Sequence, residues 1–155
     1  SYTDKGGVNI KPLTGHTSIT LPGNYFLFTG KEKSYGYAPL RYDKNFYYPF
    51  TDTAGWVQAD SIDLTGIKNI SLYTYWADGN IPGYTFEIRA GGADGLLIGK
   101  KTVPAAKRAN NAQLVFTIPV DGPRDGGLHT ICVIVKPLQQ GIKPNGNFYM
   151  MQFTR

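Results

Sequence analysis

The sequence has little that would support a crosslinked, metal-binding or membrane-spanning protein. Of its 155 residues only Cys132 is a cysteine, which excludes an internal disulfide and a cysteine-rich metal site. Cys132 lies in the apolar run TICVIV, where an unpaired cysteine is expected to be a small buried hydrophobe. No run approaches the roughly 18 apolar residues of a membrane span, so no membrane span is predicted.

Charged residues are also few, at 17% of the chain, below the usual quarter. The net charge of +5 and the pI of about 9.3 would fit a nucleic-acid-binding domain. However, the lysines and arginines are scattered, and their densest runs are only KEK, GKK and AKR. A nucleic-acid-binding stripe needs longer clusters, so we predict a mildly basic surface and no nucleic-acid partner.

The residue patterns of common enzymes are missing as well. The two histidines, His16 and His129, are far apart in sequence. His129 and Cys132 are three positions apart on a predicted strand, so their side chains face opposite ways and do not form a nucleophile–base pair. No glycine-rich phosphate loop opens a helix, and no two carboxylates are placed at a separation that glycoside hydrolysis needs. We therefore predict no catalysis and no cofactor.

What the chain does contain is 19 glycines, 10 prolines and 14% aromatic residues, a composition typical of short strands joined by turns. Alternation predicts strands at 17–21, 25–28, 56–63, 69–76, 84–90, 96–103, 112–119, 128–135 and 147–153. Asp-Gly, Asn-Gly and Gly-Gly turns lie between them. Nine short strands without a long helical period predict an all-β fold, a two-sheet antiparallel β-sandwich of jelly-roll or immunoglobulin-like type.

Two predicted strands differ in their burial. In YTFEIRA (84–90), Tyr84, Phe86 and Ile88 share one face and the polar side chains share the other, as in a half-buried antiparallel strand. By contrast, ICVIV (131–135) is apolar at every position and is predicted to be a central strand that is buried on both sides.

The N-terminal segment differs in composition from the rest, because it has few large apolar residues. We place a soft boundary near Pro22, with residues 1–22 as a linker or the last strand of a preceding domain and 23–155 as the sandwich. Because the sequence starts at Ser1 without a methionine, we expect it to be a mature or excised part of a longer polypeptide. Residues 30–46 show no clear hydrophobic periodicity. We predict that they form a long loop, which is either functional or ordered by the packing of its aromatic side chains.

Four segments carry a resemblance to a known family: FTDTAGWVQADSIDLTGIKNISL, YTFEIRAGGADGLLIGKKTVP, GLHTICVIVK and GNFYMMQF. Together they resemble, over residues 50–155, the family 6 carbohydrate-binding modules that are appended to secreted bacterial enzymes. The opening SYTDKGGVNIKPLTG looks like the end of the small β-domain that often precedes such modules. The resemblance implies a galactose-binding-like jelly roll, a carbohydrate partner, other domains in the same polypeptide, and a secreted, periplasmic or cell-surface location.

The resemblance also implies site residues. Phe50 matches the aromatic at the lip of the sugar cleft, and Asn147 matches an amide that the closing strand offers to the ligand. Sugar binding needs flat apolar faces flanked by hydrogen-bonding groups. Tyr47 and Tyr48 are near enough to substitute for Phe50, and Tyr149 shares a face with Asn147.

Each aromatic residue also has a structural alternative. Phe50 and Tyr48 either contact the ligand or pack under the 30–46 loop, and Asn147 is either a ligand contact or a turn residue. Trp76 either caps the sandwich or is displayed. Trp56 and Phe46 are expected in the core.

The sequence departs from the family at two places. Residues 19–33 lack the acidic strand that helps to hold a structural calcium, so calcium is not supported. The tryptophan that often opens the strand at 112–119 is absent, with Gln113 near its place. We predict a non-catalytic module that stacks a sugar on exposed aromatics at a loop cleft. The alternative is a structural or protein-interaction sandwich whose sugar cleft has degenerated.

Overall fold

The structure, a computed structural model, describes residues 24–77, 79–142 and 144–155, together with the backbone of 2–3 and 14–15. The described strands are β1 Tyr2–Thr3, β2 Thr14–Gly15, β3 Tyr25–Leu27, β4 Ser34–Tyr35, β5 Leu40–Tyr42, β6 Asn45–Pro49, β7 Gly55–Asp63, β8 Asn69–Trp76, β9 Gly79–Ile81, β10 Tyr84–Ala90, β11 Leu96–Val103, β12 Ala106–Arg108, β13 Ala112–Pro119, β14 Leu128–Pro137 and β15 Gly146–Thr154. No helix in this part of the chain is long and apolar enough to cross a membrane.

Two antiparallel sheets form the sandwich that the sequence predicts. A five-stranded sheet has the order β11-β10-β14-β7-β4, and a six-stranded sheet has the order β13-β8-β15-β6-β5, with β3 also paired to β15. The small pairs β1–β2 and β9–β12 lie apart from them. Because neighbouring residues of a strand point to opposite faces, each sheet turns one apolar face toward the other and leaves one face outside.

The core confirms the predicted alternation of β10 and the burial of β14. Tyr84, Phe86 and Ile88 are each 0% exposed. In β14, residues 131–135 are all buried: β14 lies centrally between β10 and β7, one face packs against the core, and side chains of the neighbouring strands crowd the outer face. Cys132 belongs to this run, and burial raises the pKa of its thiol to about 12, so it remains a protonated thiol at neutral pH.

The segment 30–46, which the sequence predicts as a loop, contains the short strands β4 and β5 and the beginning of β6. Tyr37 is buried within it and Phe46 packs partly buried against the core, so rings do order this segment. Phe46 is thus at the margin of the core. The predicted strand at 17–21 and the boundary near Pro22 lie outside the described residues.

Candidate functional site on the outer face of the five-stranded sheet

The aromatic residues expected at an open loop cleft are enclosed. Phe50 is 4% exposed, because Trp76, Tyr84 and Phe148 stack around its ring with centroids 4.8, 5.0 and 5.6 Å away. Trp76 is itself 1% exposed. We call Phe50, Trp76, Tyr84 and Phe148 the loop-end cluster. The prediction that Phe50 and Trp76 are displayed to a sugar is therefore wrong, since their ring faces are already covered by other rings.

Tyr48 is buried too, which corrects the same prediction for this residue. Its ring contacts Phe28 and Phe148 at centroid distances of 5.1 and 5.7 Å, and its hydroxyl donates a hydrogen bond of 2.8 Å to Glu32. Burial raises the pKa of Tyr48, and the acceptor role of the Glu32 carboxylate raises it further. Tyr48 thus stabilises the fold and offers no free face to a ligand.

The other three residues of the predicted site are half-buried and lie elsewhere. Asn147 pairs in register with Tyr75 and with Pro49, which puts it on the outer face of the six-stranded sheet. Tyr149 lies on β15 beside Tyr73, with ring centroids 6.4 Å apart. Tyr47 points away from the buried Tyr48 because the two are adjacent on β6. The structure does not bring these residues together with Phe50.

Trp56, expected in the core, lies instead on the outer face of the five-stranded sheet. Within β7 the core positions belong to Val57 and Ala59, each 1% exposed, whereas Trp56 is half-buried and alternates with them. The Tyr35 side chain, which is 67% exposed, stacks beside Trp56 with the ring centroids 6.4 Å apart and the planes 25° from parallel. We call Tyr35 and Trp56 the sheet-face pair.

The backbone around Gly36 positions Tyr35. Gly36 has a φ of 74°, and a Cβ atom there would lie 2.9 Å from the carbonyl oxygen of Ala54, so a glycine is needed. This turn lets Tyr35 face outward while Tyr37 is buried. Strand β4 pairs with β7, with Tyr35 opposite Trp56. A 2.9 Å hydrogen bond from the backbone N–H of Gln58 to the backbone carbonyl of Lys33 extends this pairing.

A continuous row of side chains crosses the outer face of this sheet. Strand registers place Lys100 opposite Glu87, Glu87 opposite Ile134, Ile134 opposite Trp56 and Trp56 opposite Tyr35. Directly opposed residues on a sheet share a face. The row therefore crosses five strands, beginning with the cationic Lys100, continuing through the Glu87 carboxylate and the apolar Ile134, and ending with two aromatic rings.

The carboxylate of Glu87 is the most buried polar group of this row, with only 7% of its side chain exposed. Lys136 donates to its Oε1 at 2.9 Å and Arg89 to its Oε2 at 3.1 Å, while the Lys100 Nζ lies 3.9 Å from Oε1. The Lys136 hydrogen bond lowers the pKa of Glu87, with further lowering from Arg89, against the opposing effect of burial. Glu87 is therefore a carboxylate at neutral pH.

One side of the row is bordered by the turn between β10 and β11. Arg89 donates through Nη1 to the Gly95 carbonyl at 2.9 Å, and the Gly91 amide donates to the Thr130 carbonyl at 2.8 Å. A depression of about 420 Å³ results. It is lined by Tyr35, Ala54, Gly55, Trp56, Glu87, Arg89, Ala93, Asp94, Ile134 and Lys136. Its size is within the usual range of small-ligand sites.

The described residues hold no group of three or more histidine, cysteine, aspartate or glutamate side chains suited to a metal ion. The depression offers an aromatic face, the Glu87 carboxylate, the Lys136 ammonium group and the Arg89 guanidinium group. These groups are chemically suited to stacking and hydrogen bonding.

Solved structures share this architecture. A family 6 carbohydrate-binding module from Clostridium cellulolyticum, in complex with xylose, superposes with a TM-score of 0.63 at 16% identity, covering 84% of this chain and 96% of that one. The chain has the fold of a family 6 carbohydrate-binding module. A β-1,3-glucan-binding family 6 module from Bacillus halodurans gives 0.58 at 16% identity, over 86% of this chain and 97% of that one.

A larger protein contains a similar domain. A glycoside hydrolase family 43 arabinoxylan arabinofuranohydrolase from Bacillus subtilis, in complex with cellotetraose, matches with a TM-score of 0.58 at 20% identity. The match covers 97% of this chain and 32% of that protein. No protein-family model matches the sequence, and no curated protein matches it.

Proposed function

We propose that this chain is a non-catalytic carbohydrate-binding module whose sugar lies on the outer face of the five-stranded sheet. The observation that carries the proposal is the sheet-face pair: two neighbouring rings, one of them two-thirds exposed, at the end of a depression that also holds Glu87 and Lys136. The fold shared with family 6 modules supports it.

The chemistry of the row suits a pyranose. The C–H face of a sugar ring packs on Tyr35 and Trp56, where apolar contact is favourable and the ring hydroxyls remain at the margin. Glu87 accepts hydrogen bonds from hydroxyls, and Lys136 has N–H groups left after its bond to Glu87. Because the site is shallow, we expect dissociation constants on the order of 10 μM to 1 mM, about −7 to −4 kcal/mol.

The test is affinity electrophoresis through gels containing soluble polysaccharides, followed by calorimetric titration of any ligand that retards the chain. Trp56→Ala is expected to weaken binding at least about tenfold, or roughly 1.4 kcal/mol, because it removes the larger stacking face. Tyr42→Ala is the matched control, since Tyr42 is 77% exposed and does not line the depression. Equal binding by the native chain and a folded Trp56→Ala variant would contradict the site.

The alternative is a structural or protein-interaction sandwich without a sugar site. The enclosure of Phe50 and Trp76 favours it, because the loop cleft that the sequence predicted is filled by rings. Gln113 near the place of a family tryptophan points the same way. If the native chain is retarded by no polysaccharide, this alternative replaces the proposal. Hydrolysis of a chromogenic glycoside that persists through purification would replace both with an enzyme.

We further propose that the chain is an accessory domain of a larger bacterial polypeptide that acts outside the cytoplasm. The similar domain within the Bacillus subtilis arabinofuranohydrolase supports this arrangement. Recovery of the full-length polypeptide only from the cytoplasmic fraction of its host would contradict the location.

A further inference from the structure

The candidate site contains more positive than negative charge around its buried carboxylate. Three cationic groups surround Glu87 within 4 Å: Lys136 at 2.9 Å, Arg89 at 3.1 Å and Lys100 at 3.9 Å. The remaining acidic residue of the depression, Asp94, is exposed on the turn between β10 and β11. Around the Glu87 carboxylate itself, three positive charges therefore face one negative charge.

The three cations differ in their exposure and in how many of their hydrogen-bond donors are already used within the protein. Arg89 has 25% of its side chain exposed and divides its donors between Glu87 and the Gly95 carbonyl. Lys136 and Lys100 have 48% and 55% of their side chains exposed, and an ammonium group has three donors. Arg89 therefore holds the sheet and the turn together, while both lysines keep donors for a ligand.

The position of the lysines relative to the rings matters as much as their charge. Lys100 and Trp56 belong to the same row, separated only by Glu87 and Ile134, and Lys136 lines the depression with Trp56. A saccharide of several rings that stacks on Trp56 and extends along the row would pass close to both lysines. Exposed lysine pairs alone contribute little, but the almost fully buried Glu87 holds the Lys136 ammonium group by a 2.9 Å hydrogen bond and attracts that of Lys100 from 3.9 Å.

We propose that the saccharide bound at this face is anionic. Its uronate or sulfate groups contact Lys136 and Lys100, while one of its sugar rings stacks on Trp56. This inference rests on the proposed function and narrows its ligand class. The formal charge of +5 on the whole chain adds a long-range attraction for such polymers.

The test compares ligands with the same backbone and different charge. A uronate-containing oligosaccharide is titrated beside its carboxyl-reduced form, and dextran sulfate is titrated beside dextran, which separates the two sources of charge. We expect the anionic member of at least one pair to bind about tenfold more tightly at low salt. The preference is expected to shrink as salt rises, because the Debye length falls from about 30 Å at 0.01 M to about 3 Å at 1 M.

Charge variants locate the effect. Lys136→Gln is expected to weaken binding of the anionic ligand about fivefold more than binding of the neutral ligand, because glutamine keeps hydrogen-bond donors but loses the charge. Lys107→Gln removes the same charge from an exposed position on β12, outside the depression, and is expected to change neither. Equal losses in the two variants would overturn the proposal in favour of attraction by overall charge.

The outcomes separate this inference from the proposed function. If the neutral members bind as tightly as the anionic ones and Trp56→Ala weakens both, the module binds sugar and the charge inference is wrong. If the native chain binds no member of either pair and no other saccharide, the proposed function fails and the charge inference fails with it.

Discussion

The loop-end cluster and the sheet-face pair are both built from aromatic residues, yet they differ in enclosure. Phe50 of the cluster is 4% exposed and has three stacked rings with centroids within 5.6 Å. Tyr35 of the pair is 67% exposed and has Trp56 as its stacked neighbour at 6.4 Å. The comparison teaches that aromatic enrichment in a sequence does not by itself indicate exposed rings, because some of the rings are enclosed in the core and others keep an exposed face.

The physical reason is the supply of covering groups. The loop-end cluster lies between the two sheets, where rings from β8, β10 and β15 meet Phe50 and fill the space. The sheet-face pair lies on the outer face of one sheet, where the described residues supply no second layer. Enclosed rings contribute their burial to folding, whereas the outer pair retains apolar area that a ligand can cover.

The largest expected effect is on stability. Phe50→Ala is expected to lower the free energy of unfolding by about 3–5 kcal/mol, because it leaves a cavity between stacked rings. Chemical denaturation measures the change. Tyr35→Ala is the matched control and should stay within roughly 0.5 kcal/mol, as exposed substitutions usually do. A Phe50→Ala variant that keeps native stability but loses saccharide binding would reverse the roles assigned to the two groups.

A smaller effect is expected from the charge of Glu87, since the sheet face contains this carboxylate and the loop-end cluster consists of aromatic residues alone. Glu87→Gln is expected to lower stability at pH 7 by about 1–3 kcal/mol, because charged hydrogen bonds from Lys136 and Arg89 lose their anion. The pKa of Glu87 is lowered on folding, so its contribution is present above the ordinary value of 4.5 and is lost as pH falls through the folded value.

Denaturation of both proteins from pH 7 to pH 3 checks this sign. The native chain and the Glu87→Gln variant should converge in stability toward the acid end of the range. A difference that stays constant down to pH 3 would show that the loss comes from packing and not from the carboxylate charge.

Much of the fold follows from sequence alternation. The strands at 69–76, 84–90, 96–103 and 112–119 have the predicted bounds, and in all of these except 96–103 the apolar side chains lie mainly on one face over seven or eight residues. The short strands β4, β5, β9 and β12 were not predicted, since two or three residues show no period. They become strands by pairing: β4 with the longer β7, β5 with β6, and β9 with β12.

The candidate site was only partly predictable. The outward direction of Glu87 follows from its alternation with Tyr84, Phe86 and Ile88. The sequence of β7 does contain a signal for Trp56: it shares one face of the strand with the polar Gln58 and Asp60, which is typical of an outer face. The row itself was not predictable from pattern alone, because it depends on which strands are neighbours and on their register.

The smallest expected effect comes from removing one hydroxyl group, either from Tyr84 of the loop-end cluster or from Tyr48, whose ring contacts Phe148 of that cluster. The Tyr84 hydroxyl is buried without a hydrogen-bond partner among the described residues, whereas the Tyr48 hydroxyl donates to Glu32 at 2.8 Å. A buried polar group without a partner costs stability, and a charged hydrogen bond contributes to it. Tyr84→Phe is thus expected to raise the free energy of unfolding by about 1 kcal/mol, and Tyr48→Phe to lower it by about 1–2 kcal/mol.

These two variants lose the same oxygen atom from buried tyrosines, so each is the control for the other, and thermal or chemical denaturation compares them directly. Burial raises the pKa of both tyrosines, which keeps both hydroxyl groups protonated at neutral pH and makes the comparison one between neutral groups. A loss of stability in Tyr84→Phe as large as that in Tyr48→Phe would mean that the Tyr84 hydroxyl contributes to the fold. The loop-end cluster would then depend on a polar contact as well as on ring packing, and its contrast with the sheet-face pair would be weaker.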